Sequence, residues 1–212
     1  MKCIEFFAGS RSIGKAVEKA NGTVFSTDIN KYPNIDLVVD ILQFDFSKVA
    51  FIPDVIWLSP PCTGFSVAAI GTHWGRGVGT YIPKTKTAKL GIQLLDKTIE
   101  IVEHYLLENP KLIFFIENPR GMMRKMPQLE RFKRHTVSYC QYGDKRMKPT
   151  DIWTNSKTFV PKMCKNGATC HEAAPRGSKT GTQGLKGAFE RSKIPEKLCD
   201  YVIECCKNEL AK

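Results

Sequence analysis

The 212-residue chain lacks any apolar run close to the roughly 18 residues that a membrane-spanning helix needs. The stretch from Leu112 to Ile116 has only the length of a strand. A secretory leader is not expected either, because the charged Glu5 interrupts the apolar character of the first residues. We therefore expect a cytoplasmic protein with one main hydrophobic core.

Acidic residues are scarce in the second half of the chain. Residues 111–193 hold 18 Lys and Arg against 6 Asp and Glu, whereas the rest holds 14 against 15. The net charge of +11 therefore arises from one region. Such a localised excess favours a polyanionic partner, because neutralising phosphates releases condensed counterions, although a solvated basic surface is the alternative.

A disulfide framework is not expected from the eight cysteines, because a chain without a leader favours free thiols, a metal site or catalysis. A cysteine that follows no special motif is most often a small buried hydrophobic residue. This interpretation applies to Cys3, Cys199, Cys205 and Cys206.

The apolar pattern predicts an α/β fold with a parallel sheet. Strands are expected at residues 2–7, 24–27, 36–39, 55–58, 112–116, 136–140 and 152–154, and helices at 11–20, 88–107 and from about 195. Residues 71–87 lack periodicity and predict a mobile functional loop. We expect a catalytic domain formed by residues 1–154 and 193–212, with residues 155–192 as a small, irregular and basic insert.

A glycine-containing turn from Phe7 to Gly14 lies between the first strand and the first helix. Glycines let the backbone approach a ligand closely, and a helix start presents unpaired N–H groups. Asp28 ends the next strand about 20 residues further on, where an acid binds ribose hydroxyls in nucleoside-binding sheets. Asp40 ends the third predicted strand, so the pattern favours a nucleoside site over ordinary turn residues.

Two further motifs follow buried strands. Ser59-Pro60-Pro61-Cys62 stiffens the backbone and directs a thiol out of the sheet edge, where a thiolate can attack carbon. Glu117-Asn118-Pro119 places a carboxyl group that can bind a base edge and donate a proton, although a surface or capping glutamate is the alternative.

The order of these motifs resembles the DNA cytosine-5 methyltransferase family, particularly its compact phage and prophage members. Gln141-Tyr142-Gly143, followed by Arg146 and Lys148, is similar to the family's Gln-x-Tyr-Gly … Arg-x-Arg element, with lysine in place of the second arginine. Residues 191–195 with Leu198 are similar to the late element that closes the cofactor site. The turn departs from the family pattern by having Arg11 and Ser12 where paired glycines are usual.

The resemblance implies a Rossmann-like fold that uses S-adenosyl-L-methionine and DNA. It assigns catalysis to Cys62, Glu117, Arg146 and Lys148. It assigns cofactor binding to Phe7, Gly9, Ser12, Gly14, Asp28, Asp40 and Pro60. It assigns substrate binding to Ser59, Pro61, Asn118, Pro119 and Gln141.

In the implied reaction Cys62 adds to C6 of a cytosine while Glu117 protonates N3. Cysteine after the two prolines argues against amino-group methylation, whose enzymes carry an aromatic residue there. Methylation of RNA or of a free nucleotide, and a non-catalytic anti-restriction decoy, stay open. We expect a monomer in a bacterial host or a phage-infected cell, associated with restriction-modification.

The basic insert is small, so we expect a short or degenerate recognition sequence, or a preference for single-stranded DNA. It also contains Cys164, Cys170 and His171, which have no standard zinc-knuckle spacing. We expect no metal in the catalytic site. Zinc bound to these three residues, with His135 or Cys140 as the fourth ligand, is an alternative to unliganded surface thiols.

Overall fold

The computed structural model describes residues 1–78, 81–173, 185 and 187–212. The strands in these residues are β1 (Lys2–Phe6), β2 (Thr23–Asp28), β3 (Leu37–Val38), β4 (Val55–Leu58), β5 (Trp74–Arg76), β6 (Tyr81–Pro83), β7 (Ile113–Pro119), β8 (Arg134–Ser138) and β9 (Pro149–Thr154). The α-helices are α1 (Ser12–Lys19), α2 (Ile70–His73), α3 (Lys86–Glu108), α4 (Ala188–Ser192) and α5 (Glu196–Leu210).

Seven strands form one mixed sheet in the order β3-β2-β1-β4-β7-β9-β8. The predicted α/β, Rossmann-like fold is confirmed, but the expectation of an entirely parallel sheet is wrong. Strand β9 lies between β7 and β8 and runs antiparallel to both. The ten residues 139–148 between β8 and β9 are too few for a parallel crossover, which needs a dozen or more.

Hydrophobic layers cover both faces of the sheet. Helix α3 packs on one face through side chains that include Leu95 and Val102. Helices α1 and α5 cover the other face, where Val17 and Val202 belong to one buried cluster. The four cysteines interpreted as core residues, Cys3, Cys199, Cys205 and Cys206, are all buried there, which confirms that interpretation.

Residues 71–87 contain more regular structure than their lack of periodicity indicates, and their mobility and function stay a prediction. They contain the end of α2 and the antiparallel pair β5–β6. Trp74 anchors this segment, because its ring is buried beside Phe65 and its Nε1 donates a 2.7 Å hydrogen bond to the Gly64 carbonyl oxygen.

The first part of the predicted insert packs against the main core. Phe159 is buried, and Thr158 Oγ1 donates a 3.0 Å hydrogen bond to the carbonyl oxygen of Cys205 in α5. Residues 174–184 and 186 of the predicted insert lie outside the described residues. The domain boundary therefore stays a prediction. None of the helices in the described residues is both long and apolar enough to cross a membrane.

Candidate active site

The carboxyl ends of four parallel strands meet at one edge of the sheet. Strand β1 pairs with β2 and β4, and β4 pairs with β7 in a register that sets Leu58 beside Ile116. The next residues along these last two strands are Ser59 and Glu117. The topology therefore brings the glycine turn, Asp28, the Pro-Pro-Cys motif and the Glu-Asn-Pro motif to one place, where open α/β sheets bind ligands.

The Pro-Pro-Cys turn is held by hydrogen bonds at both of its ends. Trp57 Nε1 donates to Ser59 Oγ at 2.7 Å, and the Phe65 amide donates to the Cys62 carbonyl oxygen at 2.9 Å. Pro60 is buried, whereas Pro61 and Cys62 are exposed. The chain thus presents the Cys62 thiol at the surface of a fixed turn.

The Glu-Asn-Pro motif forms the end of β7 rather than following it, which corrects the predicted strand boundary. Asn118 is buried, and its Nδ2 donates a 2.8 Å hydrogen bond to the Pro60 carbonyl oxygen. This bond joins the two motifs directly. Asn118 Oδ1 is buried and has no hydrogen-bond partner among the residues that the structure describes.

Glu117 is only 5% exposed and lies among hydroxyl donors. The Tyr139 hydroxyl donates to its Oε1 at 3.3 Å, and the Ser59 hydroxyl also bonds it. Burial raises the pKa of Glu117, and the charge of Lys148 and these hydroxyls oppose that rise without cancelling it. The environment therefore favours a protonated carboxyl group, which can donate a hydrogen bond.

Lys148 extends into the same site from the turn before β9. Its Nζ lies 4.6 Å from the centre of the Tyr139 ring and donates a 2.8 Å hydrogen bond to the Arg191 carbonyl oxygen. Burial lowers the pKa of Lys148, while the charges of Glu117 and Cys62 act in the opposite direction. The lysine thus places a partly desolvated positive charge close to both predicted catalytic groups.

The protonation of Cys62 depends on these neighbours. Partial removal of its sulfur from water raises the pKa of the thiol, and the negative charge of Glu117 raises it further. Lys148 and Arg191 oppose that shift. A proton on Glu117 removes the repulsion, so the neutral acid and the thiolate favour each other.

Arg146 is buried, and its guanidinium is bound by the Asp144 carboxylate through Nε at 2.9 Å and Nη2 at 2.5 Å. Two more of its contacts reach the carbonyl oxygens of Arg191 and Lys193, at 3.3 and 3.5 Å. The resemblance assigns Arg146 to catalysis, which would require either contact with the base or positioning of the catalytic groups. These contacts favour positioning.

The predicted cofactor turn has three residues in the left-handed region, Phe7, Gly9 and Arg11, with φ of 55°, 49° and 54°. The Gly9 amide donates to Asp28 Oδ2 at 2.9 Å. Among the described residues, a Cβ at Gly9 would have only the Phe7 carbonyl oxygen as a neighbour, at 4.0 Å, so these residues leave open space above the turn. Arg11, which replaces a glycine of the family pattern, turns its buried guanidinium toward Ser26.

The helix start does not offer unpaired amides at Ile13 and Gly14, contrary to the sequence expectation. Both N–H groups donate to the Glu5 carboxylate, at 3.0 and 2.9 Å. A Cβ at Gly14 would lie 2.8 Å from Glu5 Oε2, so glycine there makes room for this carboxylate. Burial raises the pKa of Glu5 to about 7, against the opposing effect of the two amides.

The late element contacts the predicted cofactor turn through one hydrogen bond. The Ile194 amide donates to Ser12 Oγ at 3.3 Å.

Asp40 is exposed, and its Oδ1 accepts the amide of Leu42 at 3.0 Å. Gln141, predicted to bind substrate, is exposed, and its Nε2 lies 3.3 Å from Cys170 Sγ rather than at the Pro-Pro-Cys turn.

Cys164, Cys170 and His171, the candidate zinc ligands, lie together with Cys140. His135, the other proposed fourth ligand, instead packs its ring against Phe159 with centroids 5.6 Å apart. Of the two open possibilities for the fourth ligand, the geometry selects Cys140.

Three residues with prominent contacts in the site were not predicted. Tyr139 bonds Glu117, Asp144 binds Arg146, and Glu5 fills the start of α1. The spacing of Asp144 and Arg146 is a signal that could have been read. Tyr139 and Glu5 have no such signal in the sequence, because their partners lie on other strands or helices.

An open α/β sheet of this strand order, with a glycine turn and strand-end acids at one edge, is typical of Rossmann-like methyltransferases. No protein-family model matches the chain. A Frog virus 3 (isolate Goorha) protein named a probable DNA (cytosine-5)-methyltransferase is 28% identical over 224 residues, which cover 97% of this chain and all of that protein. The chain is therefore similar, over nearly its whole length, to a protein of that name, in line with the resemblance of its motifs to the DNA cytosine-5 methyltransferase family.

The chain is also similar to a crystal structure of a DNMT2 mutant from Spodoptera frugiperda. The TM-score is 0.46 with 16% sequence identity over 77% of this chain. The match spans about half, 53%, of that insect protein.

Proposed function

We propose that the protein is a DNA (cytosine-5-)-methyltransferase that forms a covalent bond between Cys62 Sγ and C6 of cytosine. The observation that carries this proposal is the joining of two motifs at one sheet edge. Exposed Cys62 follows strand β4, and buried Glu117 lies at the end of the neighbouring parallel strand β7. The hydrogen bond from the Asn118 side chain to the Pro60 carbonyl oxygen connects the two motifs.

The residues of the glycine turn fit S-adenosylmethionine, which supplies the methyl group when bound. Gly9 leaves open space above the turn. The Asp28 carboxylate accepts amide hydrogens from Gly9 and Asn30, which fixes its orientation while its remaining lone pairs can accept ribose hydroxyls. We propose Phe7, Gly9 and Ser12 at the methionine end of the cofactor, and Asp40 near the adenine.

The family resemblance implies further contacts around the cofactor and the cytosine. Gly14 supports the turn by leaving room for Glu5. Pro60 lines the cofactor side. Ser59, Pro61, Asn118 and Pro119 surround the cytosine, while Gln141 contacts nucleic acid outside this pocket.

In the proposed reaction the Cys62 thiolate forms the S–C6 bond, and Glu117 transfers its proton to N3 so that negative charge does not accumulate on the ring. Addition at C6 moves the π electrons of the C5–C6 bond into a C4–C5 double bond, and that pair bonds the methyl group at C5, with S-adenosylhomocysteine as the leaving group when the cofactor is bound. Loss of the C5 proton to a base at the site then re-forms the C5–C6 double bond and breaks the S–C6 bond, which releases the Cys62 thiolate, while the N3 proton returns to Glu117. The raised pKa of Glu117 supports its part as the acid.

The proposed substrate is DNA, and the proposal rests on the basic second half of the chain. Cytosine C6 is hidden inside a duplex, so the base must be flipped out at a cost of a few kcal/mol. Because the insert is small, we propose a short or degenerate duplex site or a single-stranded substrate. Strong discrimination for a long duplex sequence would contradict this part.

The test is transfer of labelled methyl groups from S-adenosylmethionine to duplex DNA, single-stranded DNA, RNA and free cytosine nucleotides, assayed in parallel. Cys62→Ala should abolish transfer, and Cys205→Ala, which removes a thiol remote from the site, is the matched control. DNA containing 5-fluorocytosine should trap an adduct on Cys62, because fluorine at C5 blocks elimination. Wild-type turnover by Cys62→Ala would refute the covalent mechanism.

A further inference from the structure

A second cluster of reactive side chains lies apart from Cys62. It contains Cys140, Cys164, Cys170 and His171, whose three Sγ atoms and one imidazole nitrogen all lie within 4.8 Å of one another. Cys140 comes from the 3₁₀ turn after β8, and the other three come from the segment that follows β9. Residues separated by about 30 positions thus converge on one point.

The distances within the cluster agree with the edges of a metal tetrahedron. Zinc bonds of about 2.3 Å to sulfur and about 2.0 Å to nitrogen give S···S edges of about 3.8 Å and S···N edges of about 3.5 Å. Cys170 Sγ lies 3.3 Å from Cys164 Sγ and 3.7 Å from Cys140 Sγ. His171 Nδ1 lies 3.5 Å from Cys164 Sγ and 3.7 Å from Cys170 Sγ.

We propose that Cys140, Cys164, Cys170 and His171 bind one structural zinc ion. Three thiols and an imidazole form a donor set that zinc prefers, and four protein ligands close the coordination sphere. A disulfide explains the cluster less well, because the closest sulfur pair is 3.3 Å apart against a bond length of about 2.05 Å.

The surroundings are built for such a site. Gln141 Nε2 lies 3.3 Å from Cys170 Sγ, where an amide hydrogen stabilises a thiolate. The Cys164 amide donates to Ser138 Oγ at 3.0 Å, which fixes that ligand to the end of β8. Residues 155–173 contain no helix or strand, so metal bonds would add cross-links that regular secondary structure does not provide there.

The zinc would attach this segment to the catalytic domain. Cys140 belongs to the turn Tyr139–Tyr142, and the chain continues from there into Arg146 and Lys148. Loss of the ion should therefore release the segment around residues 161–172 first, while α5 and the sheet keep their structure.

The test begins with metal analysis of the full-length protein, produced with zinc and dialysed without chelator. About one zinc ion per chain is expected. Cys170→Ser and His171→Asn should each lower the zinc content several-fold. Cys62→Ser and Cys205→Ser should retain it, because both thiols lie outside the cluster. Zinc content near zero in the wild type, or equal in Cys170→Ser and Cys62→Ser, would overturn the proposal.

A second measurement covers the case in which a variant folds poorly. Wild-type protein treated with a zinc chelator should show faster amide hydrogen exchange in residues 161–172, with unchanged exchange in α5, and added zinc should reverse it. Unchanged exchange in residues 161–172 after chelation contradicts the site. So does a Cys164–Cys170 disulfide, detected as a 2 Da mass loss in protein kept under reducing agent. These readouts do not depend on methyl transfer.

Discussion

Substitution of Gly121 by alanine should uncouple the two catalytic motifs. Gly121 follows the Glu-Asn-Pro motif, and an added Cβ would lie 2.3 Å from the carbonyl oxygen of Phe65. Phe65 ends the 3₁₀ turn after Cys62, and its amide bonds the Cys62 carbonyl oxygen. The close approach of the two backbones is therefore a direct link between the thiol and the strand that carries Glu117.

The size of the effect follows from this distance. Ordinary contact begins at 3.4 Å, so the two segments must separate by about 1 Å. Overpacking of a dense interior costs about 1–3 kcal/mol of folding free energy. A 1 Å displacement of catalytic groups can reduce turnover about 100-fold. We expect Gly121→Ala to remain folded at 25 °C, with kcat/KM lowered by roughly that factor.

The assays are denaturant unfolding and methyl transfer, with alkylation of Cys62 as a third readout. Gly71→Ala is the matched control, because a Cβ there would meet no atom of the described residues within 4 Å. Wild-type kcat/KM in Gly121→Ala would refute the coupling. So would a loss of kcat/KM as large in Gly71→Ala.

Three further predictions concern the charged groups of the site. Lys148→Met should raise the pKa of Cys62 and move its alkylation to higher pH, whereas Glu117→Gln should move the alkylation to lower pH. Both shifts are measured by peptide mass spectrometry. Shifts in the same direction would contradict the opposite effects that these two charges are proposed to have on Cys62. Glu117→Gln should also lower kcat by about 10²- to 10⁴-fold, since it removes the proton donor, as rapid-quench kinetics would test. Burial alone would raise the pKa of Asp144, but the hydrogen bonds from Arg146 outweigh it and hold the pKa below its ordinary value. The ion pair therefore stabilises the fold at a pH above the ordinary carboxyl pKa, and this contribution is lost as the pH falls through the pKa of Asp144 in the folded protein. Asp144→Asn should lower the free energy of unfolding by about 3–5 kcal/mol at pH 7, measured by urea unfolding, and the variant's stability should depend less on acid pH.

Local patterns predicted the sheet because its strands are buried runs with sharp ends. All seven predicted strands exist, and the expected helix at residues 88–107 corresponds to α3, Lys86–Glu108. The antiparallel direction of β9 was not evident, since an apolar run has no direction. The two strands within residues 71–87 were not predicted because β5 and β6 are three residues each, too short for a detectable alternation of apolar and polar residues.

The position of the site could be predicted better than its contacts. Cys62 and Glu117 follow from strand ends, which meet at one edge in any parallel sheet. The bond from Tyr139 to Glu117 depends on β9 running between β7 and β8, which no local pattern encodes. Glu5 likewise occupies the start of α1 only because the strand and helix fold back on each other.

One 3₁₀ turn connects the two proposed sites. Its first residue, Tyr139, directs a hydroxyl to Glu117, and the next, Cys140, directs a sulfur to the cysteine cluster. Neighbouring residues of a tight turn cannot move independently, so a change in the position of Cys140 is transmitted to Tyr139. A zinc ion at the cluster would therefore fix the Tyr139 hydroxyl that donates to Glu117, although the ion contacts no reacting atom. We expect metal removal to lower kcat more than it raises KM.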